Sequence, residues 1–251
     1  MTGSVREQLN RGRASVALGV LALLLAAAPP AASAARAGAP PRVPGSASDE
    51  DGTQAPTACK SQAGPYQERV EKYLGLPEDG EQSADDCAVI QALQREQEMT
   101  LTNGYADIAT YRAALFTWAR THTDELTGCP DGTGVVVCID MNRQLLWVED
   151  AGTISFGPVP ARTGMPGYAT HSGWHEIFDR KKEFWSTLYD APMPFSQFFD
   201  GGQALHGSHR PIFEDPGSHG CVNLRYDDAR SLWTGLRMGD AVYVWGERRG
   251  N

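Results

Sequence analysis

Five cysteines behind a leader of the exported type constrain the fold of this 251-residue chain more than any other feature of it. Arg6, Arg11 and Arg13 precede an apolar run over residues 16–28, then Pro29-Pro30 and the small-residue string Ala31-Ala32-Ser33-Ala34. A basic start, an apolar middle and an A-x-A site describe a secretory signal. An uncleaved anchor would need about 20 apolar residues, and two prolines end this run early. Residues 1–34 are therefore expected to be a signal peptide, and the remainder to be secreted and to work outside the cytoplasmic membrane. Disulfides persist in such a space. An odd cysteine count then leaves one thiol unpaired.

Hydrophobic residues at 41% and charged residues at 21% fit a globular protein and exclude whole-chain disorder. The formal charge is −9, and without the leader 19 basic side chains face 30 acidic ones. That balance opposes any partner held by its phosphates, so nucleic acid is excluded as a ligand. Residues 35–58 are rich in Ala, Gly, Pro, Ser and Asp without a period that buries a face, which predicts a flexible linker.

Two patterns follow. Over residues 59–127 the apolar spacing is helical. Asp107 is a good N-cap for a helix whose stripe is Ile108, Tyr111, Leu115 and Trp118, and Ser83 with Asp86 three residues on opens another carrying Val89, Ile90 and Leu93. Over residues 128–247 the pattern is β. Val135-Val136-Val137-Cys138-Ile139 and Leu145-Leu146-Trp147-Val148 flank a turn at residues 140–143, a hairpin signature. A short strand is expected at residues 153–156, a helix over about 227–236, and a closing buried strand at Ala241-Val242-Tyr243-Val244-Trp245. The expected fold is a mainly β domain, a compact sandwich or barrel with one helix, preceded by a small α-helical domain and ending in a tail at 248–251.

Four cysteines admit three pairings, which sequence alone does not separate. Cys59 with Cys87 and Cys129 with Cys138 is the set that staples each region within itself. Cys221 is then the remainder. A thiol attacks carbonyl carbon as thiolate, so a reactive cysteine needs a base or a positive neighbour. His206, His209 and His219 lie close by in the chain, in Leu205-His206-Gly207-Ser208 and Ser218-His219-Gly220-Cys221-Val222-Asn223. A strand ending in His206 beside a turn presenting Cys221 would set an imidazole next to a sulfur. Gly220 would let the backbone N–H groups of residues 220 and 221 turn toward a developing oxyanion.

Ser-His-Gly-Cys-Val-Asn with an upstream His-Gly resembles the signature of the L,D-transpeptidase (YkuD-type) family of peptidoglycan cross-linking enzymes. Thr163-Gly164-x-Pro166-Gly167, Met193-Pro194-Phe195 and Gly201-Gly202-x-Ala204-Leu205-His206-Gly207 extend the likeness over most of residues 129–247. A looser resemblance joins the helical region to peptidoglycan-binding modules, through Asp86-Cys87-Ala88-Val89-Ile90-Gln91-x-Leu93-Gln94 and Asn103-Gly104-Tyr105-Ala106. The family resemblance implies Cys221 as nucleophile, His206 as its proton acceptor and the Gly207 carbonyl as orienter of the imidazole. Eleven residues separate His206 from Ser218, fewer than is usual in the family, which brings His219 in as a partner in the base role. Asn223 and Ser218 are expected to contact substrate or fix the loop. Residues 170–199 correspond to a lid, with Met193 and Phe195 lining the pocket. The resemblance further implies peptidoglycan stem peptides as donor and acceptor, no cofactor, and acylation by carbapenem-type inhibitors. A monomer is expected.

Other readings of these residues are a buried structural cysteine, a zinc site from His206, His209, His219 and Cys221, and a wall-binding protein without catalysis. His171-x-x-x-His175 lacks the Glu that follows the first histidine in the helical zinc motif. The expected reaction is acyl transfer through a thioester, with an L,D-carboxypeptidase as the variant in which water resolves it.

Overall fold

The segment that reads as an unbroken apolar run, β1 (Val135–Asp140), is buried on both faces in the computed structural model, which describes residues 57–130, 132 and 134–249. The expected signal peptide and nearly all of the expected linker lie outside the described residues. Side chains alternate along a strand. Val137 and Ile139 enter a core shared with a second sheet, while Val136 and Cys138 face the helices. A strand covered on both sides needs apolar residues at every position, hence the run. Its hairpin partner β2 (Leu145–Asp150) repeats the arrangement, with Leu146 and Val148 on one side and Leu145 and Trp147 on the other.

Five strands form the first sheet, in the order β3 (Thr153–Pro160), β2, β1, β11 (Ala241–Trp245) and β4 (Gly173–Glu176). β11 runs parallel to β1, with Val136 opposite Ala241, and the other pairings are antiparallel. The second sheet has the order β10 (Val222–Leu224), β9 (Gln203–Gly207), β8 (Ser196–Asp200) and β5 (Asp179–Lys181). Between β5 and β8 a small hairpin forms from β6 (Trp185–Ser186) and β7 (Ala191–Pro192). The main core lies between the two sheets, where α4 (Tyr226–Gly235) adds Ala229 and Leu232, and Leu236 follows them.

The helices precede the sheets as α1 (Gln67–Leu74), α2 (Ala84–Glu96) and α3 (Ile108–Ala119). Ser83 and Asp86 form the expected reciprocal cap, Asp86 N–H donating to Ser83 Oγ at 3.0 Å and Ser83 N–H to Asp86 Oδ2 at 2.9 Å. Asp107 Oδ1 accepts from Thr110 N–H at 2.8 Å and starts α3. The stripe seen in the sequence is only part of what α3 buries. Ala109, Ala113, Ala114, Phe116 and Ala119 are covered too, because α3 packs against α1, α2 and β3 together. Alanine carries little hydrophobic signal but allows close helix approach, so a central helix looks amphipathic in sequence.

Both locally stapling disulfides are present, Cys59–Cys87 and Cys129–Cys138, and Cys221 is free. Leu93 and Phe116 share a cluster with Val136, Leu145 and Trp147. The change of pattern near residue 128 is therefore a change of secondary structure within one unit, to which the described residues on both sides of it belong. At the other end Arg248 is buried and donates to Gln144 and Asp215, so the strand continues into an anchored segment where the sequence suggests a tail.

Trp147 has no exposed surface and sits at the junction of helices and sheet. Trp147→Ala is expected to cost about 3–5 kcal/mol of stability. Urea melts of the wild type followed by far-UV circular dichroism and by tryptophan fluorescence should superimpose as one transition. A helical signal that persists after the fluorescence transition would contradict the shared core.

Candidate active site

Parallel strands need a connection of a dozen or more residues. β9 and β10 lie side by side and parallel, with Leu205 opposite Val222 and His206 opposite Asn223. The connection, residues 208–221, returns the chain so that Cys221 stands at the head of β10. The loop is braced at several points. Asp215 Oδ1 accepts from Arg112 of α3 at 3.2 Å and from Arg248 at 2.5 Å, both guanidiniums being buried. Arg112 also donates to the carbonyls of Phe213 at 2.9 Å and Arg249 at 2.6 Å, and Thr100 N–H reaches Glu214 Oε1 at 2.9 Å. Burial works to raise the Asp215 pKa, but the hydrogen bonds and charges of Arg248 and Arg112 outweigh it and hold the carboxyl below its ordinary range.

Further along, Ser218 exchanges backbone bonds with residues 163–165, its N–H donating to Thr163 O at 2.9 Å and its carbonyl accepting from Met165 N–H at 2.9 Å. The Thr163-Gly164 motif serves this contact. A Cβ on Gly164 would fall 2.0 Å from the Tyr168 carbonyl, so only glycine lets the chain fold back there.

His206 is 7% exposed. Its Nδ1–H donates to Gly207 O at 2.8 Å, and its Nε2 accepts from Asn223 Nδ2 at 2.7 Å. Arg162 fixes this assignment by donating to Asn223 Oδ1 at 2.8 Å, which leaves the amide nitrogen facing the imidazole. Burial pulls the His206 pKa down to about 4, against the opposing effect of the Gly207 bond and with help from the nearby charge of Arg162. The imidazole is neutral at neutral pH, and Nε2 carries its basic lone pair.

Cys221 packs beside Met193, Phe198 and Ala204. Its Sγ–H points to Gly202 O at 3.7 Å. Burial raises the thiol pKa above its usual value, only partly opposed by a backbone hydrogen bond from Ala204. Cys221 and His206 line one cavity of about 330 Å³ together with Asn223, Ser218, His219 and Met193. Among the described residues the resting thiol makes no hydrogen bond to His206. The pair is thus a neutral thiol and a neutral imidazole.

The remaining expected site residues fall in different places. Gly207 supplies the carbonyl that holds Nδ1. Gly220 has φ of +113°, and its N–H donates to Ser218 Oγ at 3.0 Å, so in this conformation that donor is engaged within the loop. Ser218 Oγ in turn donates to the Cys221 carbonyl. His219 is exposed and held by rings, stacked on Tyr189 at 4.6 Å and edge-on to Tyr168 at 4.7 Å. Phe195 does not line the cavity; it is buried in the main core against Tyr226 and Trp233. His209 stacks on Tyr226. Among the described residues the ring nitrogens of His206, His209 and His219 and the Cys221 sulfur do not converge into a metal-ligand set, and the one convergent group, Cys129, Cys138 and Glu149, has both sulfurs in a disulfide.

Sequence reasoning overlooked three residues of this site: Arg162, Tyr189 and Tyr168. Arg162 did leave a signal, since it is the lone charge ending the apolar stretch Pro158-Val159-Pro160-Ala161. A second cavity of about 520 Å³ shares Ser208, His209 and Arg210 with the first and is closed on its far side by Gln97 and Glu98 of the helical part.

The family model for the L,D-transpeptidase catalytic domain matches residues 134–244. Among solved structures, an L,D-transpeptidase from Stackebrandtia nassauensis is 36% identical, with 79% of this chain and 100% of that chain covered and a TM-score of 0.57. An L,D-transpeptidase from Xylanimonas cellulosilytica is 22% identical, covering 76% of this chain and 99% of that one, with a TM-score of 0.44. An L,D-transpeptidase from Mycobacterium smegmatis is 21% identical, covering 46% of this chain and 60% of that one, with a TM-score of 0.42. No curated protein matches.

Two outcomes follow from this geometry. The rate of Cys221 alkylation by iodoacetamide should climb roughly tenfold per pH unit from pH 6 to 8, as a protonated thiol with a raised pKa requires; a rate already level across that range would reveal a preformed thiolate. Asp215→Asn should cost about 3 kcal/mol by leaving two buried guanidiniums unpaired. Because the native carboxyl is held below its unfolded pKa, its contribution is complete above about pH 4 and fades as the pH falls through the native value. Thermal melts from pH 3 to 7 should therefore show the gap between wild type and variant narrowing only at the acid end.

Proposed function

The chain belongs to the L,D-transpeptidase family, and from that premise we propose that it cross-links peptidoglycan by a cysteine-dependent acyl transfer. The observation that carries this reading is the shared cavity of one unpaired thiol and one neutral imidazole whose Nδ1–H is already committed to Gly207 O. Only Nε2 is left to receive the thiol proton.

In the first step the Cys221 proton passes to His206 Nε2 and the sulfur bonds to the carbonyl carbon of the third residue of a stem tetrapeptide. Nε2 must first exchange its Asn223 partner for the thiol. The C–N bond to the terminal D-Ala then breaks, and His206 returns the proton to the leaving amine. In the second step the side-chain amine of another stem attacks the thioester, gives up a proton to His206 and releases the thiol. The product joins two third-position residues, and no cofactor takes part. The Gly220 N–H can stabilise the oxyanion once it leaves Ser218 Oγ, a change within the loop that substrate binding would drive.

His206 is the better base because it is buried and fixed. His219, exposed and held between Tyr168 and Tyr189, serves as a cavity wall beneath the β6–β7 hairpin. That hairpin presents Trp185, Leu188 and Tyr189 at the surface, as a lid over an aqueous cleft would, and limits water's access to the thioester. A strained β-lactam carbonyl would meet the same thiolate, so carbapenem acylation at Cys221 is part of the proposal. The export-type leader and the two disulfides support work outside the cytoplasmic membrane.

Intact mass spectrometry after mixing with disaccharide-tetrapeptide tests this. Wild type should show a thioester adduct with D-Ala release and a cross-linked dimer, and Cys221→Ala should show none of the three. Tripeptide without dimer would mean a carboxypeptidase. His206→Ala should slow acylation roughly 10²–10⁴-fold, whereas His219→Ala should stay within about tenfold of wild type. The reverse order would assign the base to His219.

A further inference from the structure

Three buried arginines surround this site, and only two of them have a counterion. Arg112 and Arg248 share Asp215. Arg162 is 2% exposed, and among the described residues no carboxylate lies within ion-pair distance of it. Its hydrogen bonds go to neutral oxygens, Asn223 Oδ1 at 2.8 Å and Ser208 Oγ at 3.5 Å, while its Nε has no partner. The charges that bear on it most strongly are the like charges of Arg210 and Arg248. Burial and these neighbours lower its pKa to about 10, which still leaves it a cation at neutral pH.

A buried charge without a counter-charge is costly to keep. Elsewhere this fold supplies the carboxylate; here it supplies a cavity. Arg162 lines the 330 Å³ space beside Cys221, with Arg210 as a second cation on the wall and Ala191, Pro192 and Met193 as apolar lining. A guanidinium is also the side chain suited to two-point capture of a carboxylate.

We propose that Arg162, assisted by Arg210, forms a carboxylate-binding subsite in the Cys221 cavity that holds a free carboxylate of the donor stem peptide. This rests on the acyl-transfer reading above and names what the donor must carry. Two positions supply that chemistry: the C-terminal carboxylate of the departing D-residue, and a carboxylate borne by the third residue. The assignment differs from a role in orienting Asn223 alone, which would set the state of His206 without regard to substrate charge.

The test compares three tetrapeptide donors: one with both carboxylates free, one amidated at the C-terminus and one amidated at the third residue. With the wild type, kcat/KM should fall roughly ten- to a hundredfold for one of the two amides, the loss expected of a charge-assisted hydrogen bond, and that arm identifies the carboxylate held. In Arg162→Gln all three donors should be slowed, through Asn223 and His206, yet differ from one another by less than about threefold, and Arg162→Lys should restore part of the discrimination. Calorimetric binding of the same three peptides to Cys221→Ala reads the subsite without turnover, so it still decides if the acyl-transfer reading fails or if Arg162→Gln does not fold. Equal use and equal binding of all three donors, or a wild-type discrimination ratio retained in Arg162→Gln, would overturn the proposal.

Discussion

Asn223 is the residue on which the site depends. Its backbone exchanges two hydrogen bonds with Arg162, two residues past the end of β3, and so ties the first sheet to β10 of the second. Its side chain takes a hydrogen bond from the Arg162 guanidinium and gives one to His206 Nε2. An amide can turn about its last bond, but here the guanidinium allows one orientation. Because the oxygen is claimed by a group that only donates, the nitrogen must face the imidazole, and the imidazole must accept at Nε2. Gly207 O completes the chain by taking the Nδ1 proton. The protonation state of His206 thus follows from a run of hydrogen bonds that begins at a cation in the cavity wall.

The rest of the fold keeps that run in place. β1 and β2 are covered on both faces, by the second sheet on one side and by the helices on the other, so β9 and β10 sit on a support with little freedom. The helices do more than cover the sheet. Arg112 reaches from α3 to the loop that presents Cys221, and Arg225, at the start of α4, donates to Gln97 just after α2 at 2.8 Å. A short loop between His206 and Cys221 is sufficient because it is pinned from outside as well as from its ends. The hairpin β6–β7 carries exposed apolar side chains at Trp185, Leu188 and Tyr189, and Tyr189 stacks on His219 of the cavity wall.

Much of this was readable in the residues. Counting cysteines singled out Cys221, and local stapling matched both disulfides. His206 stood out because a His-Gly at a strand end met a His-Gly-Cys turn, and the parallel pairing of β9 with β10 brings them into one cavity. What escaped the sequence was set by contacts between distant segments. Phe195 looked like pocket lining beside Met193, but with φ of +58° the chain turns there and Phe195 enters the main core. Arg162 was overlooked, because burial of a charge is invisible without the elements that cover it. The join of helices and sheet escaped for a related reason, since the second face of α3 is mostly alanine, with Phe116, and that of β1 is hidden in an unbroken apolar run.

The central claim is that this chain of hydrogen bonds holds His206 neutral, with its proton on Nδ1, beside a protonated thiol. Nitrogen-15 NMR of the histidine rings across a pH titration tests it most directly. The account predicts an Nδ1–H tautomer for His206 that persists through neutral pH and titrates with a midpoint near 4. A His206 ring that is cationic at neutral pH, or one that carries its proton on Nε2, would contradict it.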